Sequence, residues 1–199
     1  PGIGTLTREL AQNAKRVIAV EKDQIMIEIL RKTTRELKNI QLIHGDILKL
    51  ATRYKIPASP KLQRGEQNTG YKVVANLPYY ITSPVIRKFL ETKHQPKLMV
   101  LMVQKEVAQR ICAKPPDMSL LAVSVQFYGE PNIVSYVSKN SFWPVPKVDS
   151  AIIKITPIAA DINADARGFF TIVKAGFKQP RKQLGNNLVK GLGVSREQA

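Results

Sequence analysis

Apolar positions change period several times along the chain. Thr5 to Ala14 has helical spacing, and Arg16 to Val20 (RVIAV) is a short β-rich run. Across Asp23 to Glu36 and just beyond, Ile25, Ile29, Leu30 and Leu37 recur at near-helical intervals, with Asp23 placed as a cap. Ile40 to His44 and Tyr71 to Ala75 are two further short strands. Next comes a helix that Thr82 or Ser83 should cap, with Pro84 at its first position and Val85, Ile86, Phe89 and Leu90 on its apolar face. Leu98 to Val103 reads as a strand buried on both faces. Lys105 to Ala113 and Ser119 to Phe127 look helical, and Asn132 to Val137 and Ala151 to Thr156 look like strands. Alternating strands and helices predict an α/β fold with a largely parallel, covered sheet. The last two strands, separated only by a loop, are candidates for an antiparallel edge hairpin.

Two stretches break the rhythm. Thr52 to Gly70 contains Pro57, Pro60, Gly65 and Gly70, with four basic residues against one acidic, and reads as a long surface loop. After Thr156 the β signals stop, and Asn163 to Phe177 and Gln183 to Leu192 read as helices. That change predicts a domain over residues 1–156 and a small helical domain over 157–199. From Arg167 to Lys190 there are six basic residues and no acidic one.

Composition narrows the classes. Among 199 residues, 31 Lys and Arg face 15 Asp and Glu, a formal charge of +16. With a pI near 10.1, that balance points to a polyanionic partner such as nucleic acid. The 44% apolar content supports a real core and argues against disorder. The longest apolar run, Leu98 to Val103, is far short of the ~20 residues of a membrane helix. A single cysteine, Cys112, and two histidines, His44 and His94, exclude a disulfide framework and a zinc cluster, so a reduced, cytoplasmic setting is expected. The chain opens on Pro1 rather than Met and is expected to be part of a longer protein.

The candidate chemistry sits at strand ends. Pro1-Gly2-Ile3-Gly4-Thr5-Leu6-Thr7 runs straight into a helix, so glycines permit close backbone approach where free N–H groups point outward. Glu21 ends the strand Val17 to Glu21, 19 residues past Gly2, the position of a carboxylate that accepts from ribose hydroxyls. Asp46 follows the next strand and is placed to accept from an adenine amine. Together the three predict a nucleoside pocket, for a dinucleotide or for a sulfonium nucleoside. Asn76-Leu77-Pro78-Tyr79 then follows the strand Tyr71 to Ala75. An exocyclic adenine amine is a poor nucleophile because its lone pair is delocalised into the ring. An amide oxygen and a backbone carbonyl that accept its two hydrogens localise that pair, the proline constrains the turn, and the tyrosine supplies a stacking face. No strong base is needed, because the proton becomes acidic as the methyl arrives.

With these motifs, the sequence resembles the ribosomal RNA adenine N6,N6-dimethyltransferase family, in particular its small-subunit branch. The resemblance runs through residues 1–7, 17–23, 45–47, 74–81, 102–111, 142–150 and 177–184, in the family's order. It implies a Rossmann-like class I methyltransferase sheet, S-adenosylmethionine as methyl donor and no metal. It also implies a monomer that acts on the immature small ribosomal subunit, methylating two adjacent adenosines in a hairpin loop near the 3′ end of its rRNA. Carried over by motif, Gly2 and Gly4 lie by the methionine part of the donor, and Glu21, with Lys22 beside it, holds the ribose. Asp46 and Ile47 bound the adenine, and Asn76 also borders the donor. Asn76 and the backbone of Leu77 and Pro78 position the target amine; Tyr79 stacks on the base and Phe142 closes its other face. Trp143 is divided between base contact and core packing. Lys147, Lys178, Arg181 and Lys182 are candidate RNA contacts.

The pattern departs from the family at both ends. The acid and further glycine that usually precede Pro1 are absent, and the helical domain stops early. Pro180 interrupts a basic run, and the loop from Thr52 to Gly70 is longer than expected. Glu106 and Arg110 are spaced as i,i+4 partners. Three other functions fit parts of the sequence. Macrolide-resistance enzymes acting on large-subunit rRNA usually carry Ile where this chain has Leu77. A ribosome-assembly binding factor would need chiefly the basic helical end. A nicotinamide dehydrogenase leaves Asn-Leu-Pro-Tyr unexplained.

Overall fold

A computed structural model describes residues 1–53, 70–92, 94–158, 166–179 and 181–198, the side chains of 51–53 excepted. Most of the expected loop from Thr52 to Gly70, the start of the expected helix at Asn163, and Pro180 lie outside the described residues. The chain divides into two compact units, Pro1–Tyr71 and Lys72–Ala199.

The first unit carries α1 (Thr5–Asn13), β1 (Val17–Glu21), α2 (Gln24–Thr33), β2 (Ile40–His44) and α3 (Ile47–Arg53). Strands β1 and β2 are parallel, in register from Val17 opposite Ile40 to Glu21 opposite His44. Parallel pairing needs a crossover, and α2 supplies it. Asp23 starts α2 as expected, its carboxylate accepting the Met26 N–H at 2.9 Å. Ile27 and Leu30 on α2 are buried against Ala19, Ile40 and Leu42 of the strands. The Thr34 hydroxyl closes the helix by donating to the Leu30 carbonyl at 2.7 Å. Helix α3 was not expected. Its first five residues fall where the sequence suggested no element and its last two, Thr52 and Arg53, at the start of the expected loop; Asp46 caps it, its Oδ1 accepting from Leu48 N and its carbonyl from Leu50 N, both at 2.9 Å.

The second unit is built on a four-stranded sheet of β3 (Lys72–Asn76), β4 (Leu98–Gln104), β5 (Gly129–Val137) and β6 (Ser150–Pro157), in the order β3-β4-β6-β5. β3 and β4 are parallel; β6 runs antiparallel to both β4 and β5. The expected edge pair forms, with β5 outermost. Its register shifts between Ile133 and Ser135, where the exposed Val134 sits. Helix α4 (Thr82–Leu90) links β3 to β4 and buries Val85, Ile86, Phe89 and Leu90. Met99, Leu101 and Val103 of β4 and Ile153 and Ile155 of β6 are fully buried, with Met99 opposite Ile155 and Leu101 opposite Ile153; completely burying such side chains is worth ~1.5–3 kcal/mol each. Helices α5 (Lys105–Ile111), α6 (Leu120–Gln126), α7 (Ala166–Gly176) and α8 (Leu184–Leu192) complete the unit. Phe127, just past α6, stacks on Phe169 of α7 at 4.4 Å between ring centres.

The start of α4 differs from expectation. Neither Thr82 nor Ser83 caps it, and Pro84 is its third residue rather than its first. A 3₁₀ turn over Tyr79–Ile81 delivers the chain to Thr82 already helical, with Thr82 N donating to the Tyr79 carbonyl. Pro84 is tolerated because the first four N–H positions of a helix have no partner within it. The expected ion pair between Glu106 and Arg110 does not form within 4 Å; α5 carries both, but the described pair of this spacing is Arg87 with Glu91, at 2.8 Å. Among the described residues, no helix is long and apolar enough to cross a membrane.

Candidate active site

In the first unit, the carboxyl ends of β1 and β2 meet the glycine turn. Gly2 and Gly4 both have left-handed backbones, at φ 61° and 97°. A Cβ on Gly4 would lie 2.7 Å from Leu30 Cδ1 and 3.1 Å from Thr33 Oγ1, so this glycine is required by packing against α2 as well as by its φ. A Cβ on Gly2 would meet nothing within 4 Å, so the backbone there is open to close approach.

Glu21 ties the turn to the sheet. Its Oε2 accepts the Gly2 N–H at 3.1 Å, and its Oε1 accepts the N–H groups of Lys22 at 2.8 Å and Asp23 at 3.0 Å. Burial alone would raise the carboxyl, but hydrogen bonds from the backbone N–H groups of Asp23 and Gly2 act against it and hold the carboxyl below its ordinary value. The Glu21 carbonyl accepts Gly45 N–H at 2.7 Å, which draws the β2 end to the β1 end. Lys22 Nζ reaches Asp46 Oδ2 at 3.4 Å while staying largely exposed. The Leu48 N–H bond and, after it, Lys22 hold the Asp46 carboxyl below its ordinary value. Ile47, half-buried, follows as the first residue of α3. Thus hydrogen bonds and an ion pair connect Gly2, Glu21, Lys22 and Asp46 at the carboxyl ends of β1 and β2, with Gly4 in the same turn and Ile47 next along the chain.

In the second unit, Asn76 ends β3 at its carboxyl edge with its side chain exposed, and Leu77 is buried and anchors the turn. The Pro78 carbonyl already accepts Ile81 N–H at 3.1 Å. Among the described residues, nothing donates to the Leu77 carbonyl or pairs with the Asn76 side-chain amide. Tyr79 is half-buried, and its hydroxyl lies 3.1 Å from Ser150 Oγ. Phe142 is half-buried in the connection between β5 and β6, which closes on itself through Lys139 N–H donating to Asp149 Oδ1 at 3.0 Å. The Asp149 carbonyl accepts Lys105 N–H at 3.0 Å, fixing this connection to the carboxyl end of β4. Trp143, at 96% exposure, is not part of the core. Lys147 borders a shallow depression of about 340 Å³ together with Lys105, Lys139 and Gln109.

Lys178, Arg181 and Lys182 are exposed on the turn between α7 and α8. Buried Asn187 holds that turn, donating from Nδ2 to the carbonyls of Gly176 at 2.8 Å and Gln179 at 2.9 Å. Sequence reasoning missed two polar residues here, Asn187 and Ser150. The only signal for Ser150 was its place at the end of the motif from Phe142, where a strand begins. Of the residues expected to hold the donor, Gly2, Gly4, Glu21, Lys22, Asp46 and Ile47 belong to the first unit and Asn76 to the second, along with Leu77 to Tyr79, Phe142, Lys147 and the basic turn.

Parallel βαβ crossovers, an antiparallel strand pair at one end of the sheet and carboxylates at successive strand ends after a glycine turn define the Rossmann-like fold of class I methyltransferases. Solved structures agree. A dimethyladenosine transferase from Plasmodium falciparum is 29% identical with a TM-score of 0.78, covering 96% of this chain and 67% of its own. The 23S rRNA methyltransferase ErmE is 28% identical with a TM-score of 0.74, covering 96% and 72%. The ribosomal RNA adenine dimethylase family profile matches residues 1–199, and the chain belongs to that family. It is 49% identical over 198 residues to the ribosomal RNA small subunit methyltransferase A of Dehalococcoides mccartyi. That match covers 98% of this chain but 65% of the relative, so the chain spans about two thirds of the relative's length.

Proposed function

We propose that the full-length protein transfers methyl groups from S-adenosylmethionine to N6 of two adjacent adenosines in a hairpin loop near the 3′ end of small-subunit rRNA, during ribosome biogenesis. The observation that carries this reading is the Asn76–Tyr79 turn. It offers one exposed amide and one backbone carbonyl that has no donor among the described residues, at the sheet edge where α/β folds bind ligands.

The residues of the first unit fit the donor. Glu21 stays ionised at any physiological pH and accepts from ribose hydroxyls, Asp46 and Ile47 bound the adenine, and the open backbone at Gly2 admits the methionine part. When bound, the donor supplies an electrophilic methyl group on a sulfonium. The second unit prepares the nucleophile. Asn76 Oδ1 and the Leu77 carbonyl accept the two N6 hydrogens, which draws the nitrogen toward tetrahedral geometry and localises its lone pair. Leu77 carries the backbone role, because the Pro78 carbonyl is engaged with Ile81. Tyr79 and Phe142 stack on the two faces of the extruded base. Lys147 and the basic turn with Lys178, Arg181 and Lys182 hold RNA phosphates, and residues 157–199 form an RNA-binding element. The reaction takes place in the cytoplasm on a monomer and uses no metal.

Leu77, where macrolide-resistance enzymes usually carry Ile, and the small-subunit name of the relative in Dehalococcoides mccartyi support the small-subunit target over the large. The test is methyl incorporation from labelled donor by the full-length protein into immature small subunits and, separately, naked large-subunit rRNA. Incorporation into the first, lost in Asn76→Ala, is expected. Incorporation confined to the second moves the protein to the other branch. Particle binding unaccompanied by methylation makes it an assembly factor.

A further inference from the structure

Tyr79 is the residue proposed to stack on the target base, and a stacking ring is useful only if its plane is fixed before the base arrives. Its backbone is fixed by the 3₁₀ turn, where Thr82 N donates to the Tyr79 carbonyl and Ile81 N to Pro78. A tyrosine can still swing about its χ angles, so the far end of the ring needs its own restraint. That restraint is a hydroxyl from another strand, 71 residues away: Tyr79 Oη and Ser150 Oγ lie 3.1 Å apart.

Ser150 is built to hold still. It is the first residue of β6, 1% exposed, and in register with Gln104 at the end of β4 and with Val137 at the end of β5. Strands on both sides therefore fix its backbone, and the Asp149 carbonyl just before it accepts Lys105 N–H at 3.0 Å. Among the described residues, Tyr79 is the one side chain that pairs with the Ser150 hydroxyl. A buried hydroxyl without a partner is costly, so the serine and the tyrosine select each other's orientation.

We propose that Ser150 is a positioning residue for base binding: its hydroxyl pins the Tyr79 ring in the plane that receives the target adenine. This inference rests on the reading of Tyr79 as the stacking residue. It predicts that the serine acts on the RNA substrate, through the tyrosine, and leaves the donor untouched.

The experiment is a double-mutant cycle on methyl transfer to immature small subunits, in the full-length protein, with donor affinity and thermal unfolding measured on every variant. Wild-type transfer comes first; if there is none, the functional reading has failed and the serine is not at issue. Given wild-type transfer, Ser150→Ala and Tyr79→Phe should each lower kcat/KM for RNA by about five-fold, the value of one hydrogen bond. Donor affinity should be unchanged, Ser150→Thr should restore the rate, and Tyr79→Phe/Ser150→Ala should be no slower than either single variant. Multiplying losses in the double variant, or a loss that appears equally in donor affinity, overturns the proposal. Should Ser150→Ala fail to fold, Tyr79→Phe reads the same bond alone, and a wild-type rate in that variant overturns it equally.

Discussion

Gly2 and Gly4, two residues apart in the same turn, should respond to alanine in opposite ways. Both sit in the left-handed region, at φ 61° for Gly2 and 97° for Gly4, which costs an L-residue ~1–2 kcal/mol. Removing a glycine from the unfolded chain returns ~0.4–1 kcal/mol. For Gly2 those are the only terms, since its Cβ would meet nothing within 4 Å; Gly2→Ala should cost ~1 kcal/mol. For Gly4 the new methyl would sit 2.7 Å from Cδ1 of the fully buried Leu30, and overpacking adds ~1–3 kcal/mol, so Gly4→Ala should cost ~3 kcal/mol. Donor binding should rank them the other way. The Gly2→Ala methyl projects into the open space proposed for the donor and should weaken S-adenosylmethionine binding by at least ~ten-fold, or ~1.4 kcal/mol. Urea unfolding gives the stabilities and isothermal titration the affinities. Equal destabilisation by the two variants would refute the packing argument. Wild-type donor affinity in Gly2→Ala would remove the glycine turn from the donor site.

Three further outcomes follow from particular contacts. The Glu21 carboxyl is held below its ordinary 4.5 when folded, so its stabilising share is complete above pH 4.5 and lost as pH falls through the lowered value. By linkage, Glu21→Gln should flatten the acid limb of a stability–pH curve; an unchanged limb contradicts the assignment. Asn187→Ala leaves the Gly176 and Gln179 carbonyls without their donor and should destabilise the protein by ~1–3 kcal/mol in denaturant titration, with weaker RNA binding from the loosened basic turn. Replacing Lys178, Arg181 and Lys182 together by alanine should reduce the slope of log affinity against log salt by ~2, at ~0.7 per phosphate on single strands; an unchanged slope takes the turn off the RNA.

Much of this was legible in the sequence, for a local reason. Among the described residues, apolar runs and helical periodicity located every strand and most helices, and Asp23 caps α2 as its place ahead of an apolar run predicted. Glu21 and Asp46 were singled out because they fall at or just past the ends of β1 and β2, and the glycine turn because it leads straight into α1, positions that spacing alone identifies. What escaped the reading depends on contacts between distant residues or on competing roles. The start of α4 is set by a 3₁₀ turn, so capping chemistry at Thr82 and Ser83 was the wrong signal. Helix α3 was hidden because Asp46 was read as a ligand, whereas its carboxylate also caps a helix of seven residues. The exposure of Trp143 and the pairing of Tyr79 with Ser150 are set by how β6 joins the sheet, and no local pattern carries that information.

The central claim is that the Asn76 amide and the Leu77 carbonyl grip an adenine amine for methylation. Its most direct measurement is mass mapping of methylated adenosines in small-subunit rRNA from cells whose only copy of the gene is wild type or Asn76→Ala. Two adjacent N6,N6-dimethyladenosines near the 3′ end with the wild type, and unmethylated adenosines at both positions with the variant, are predicted. Full dimethylation with Asn76→Ala would contradict the account.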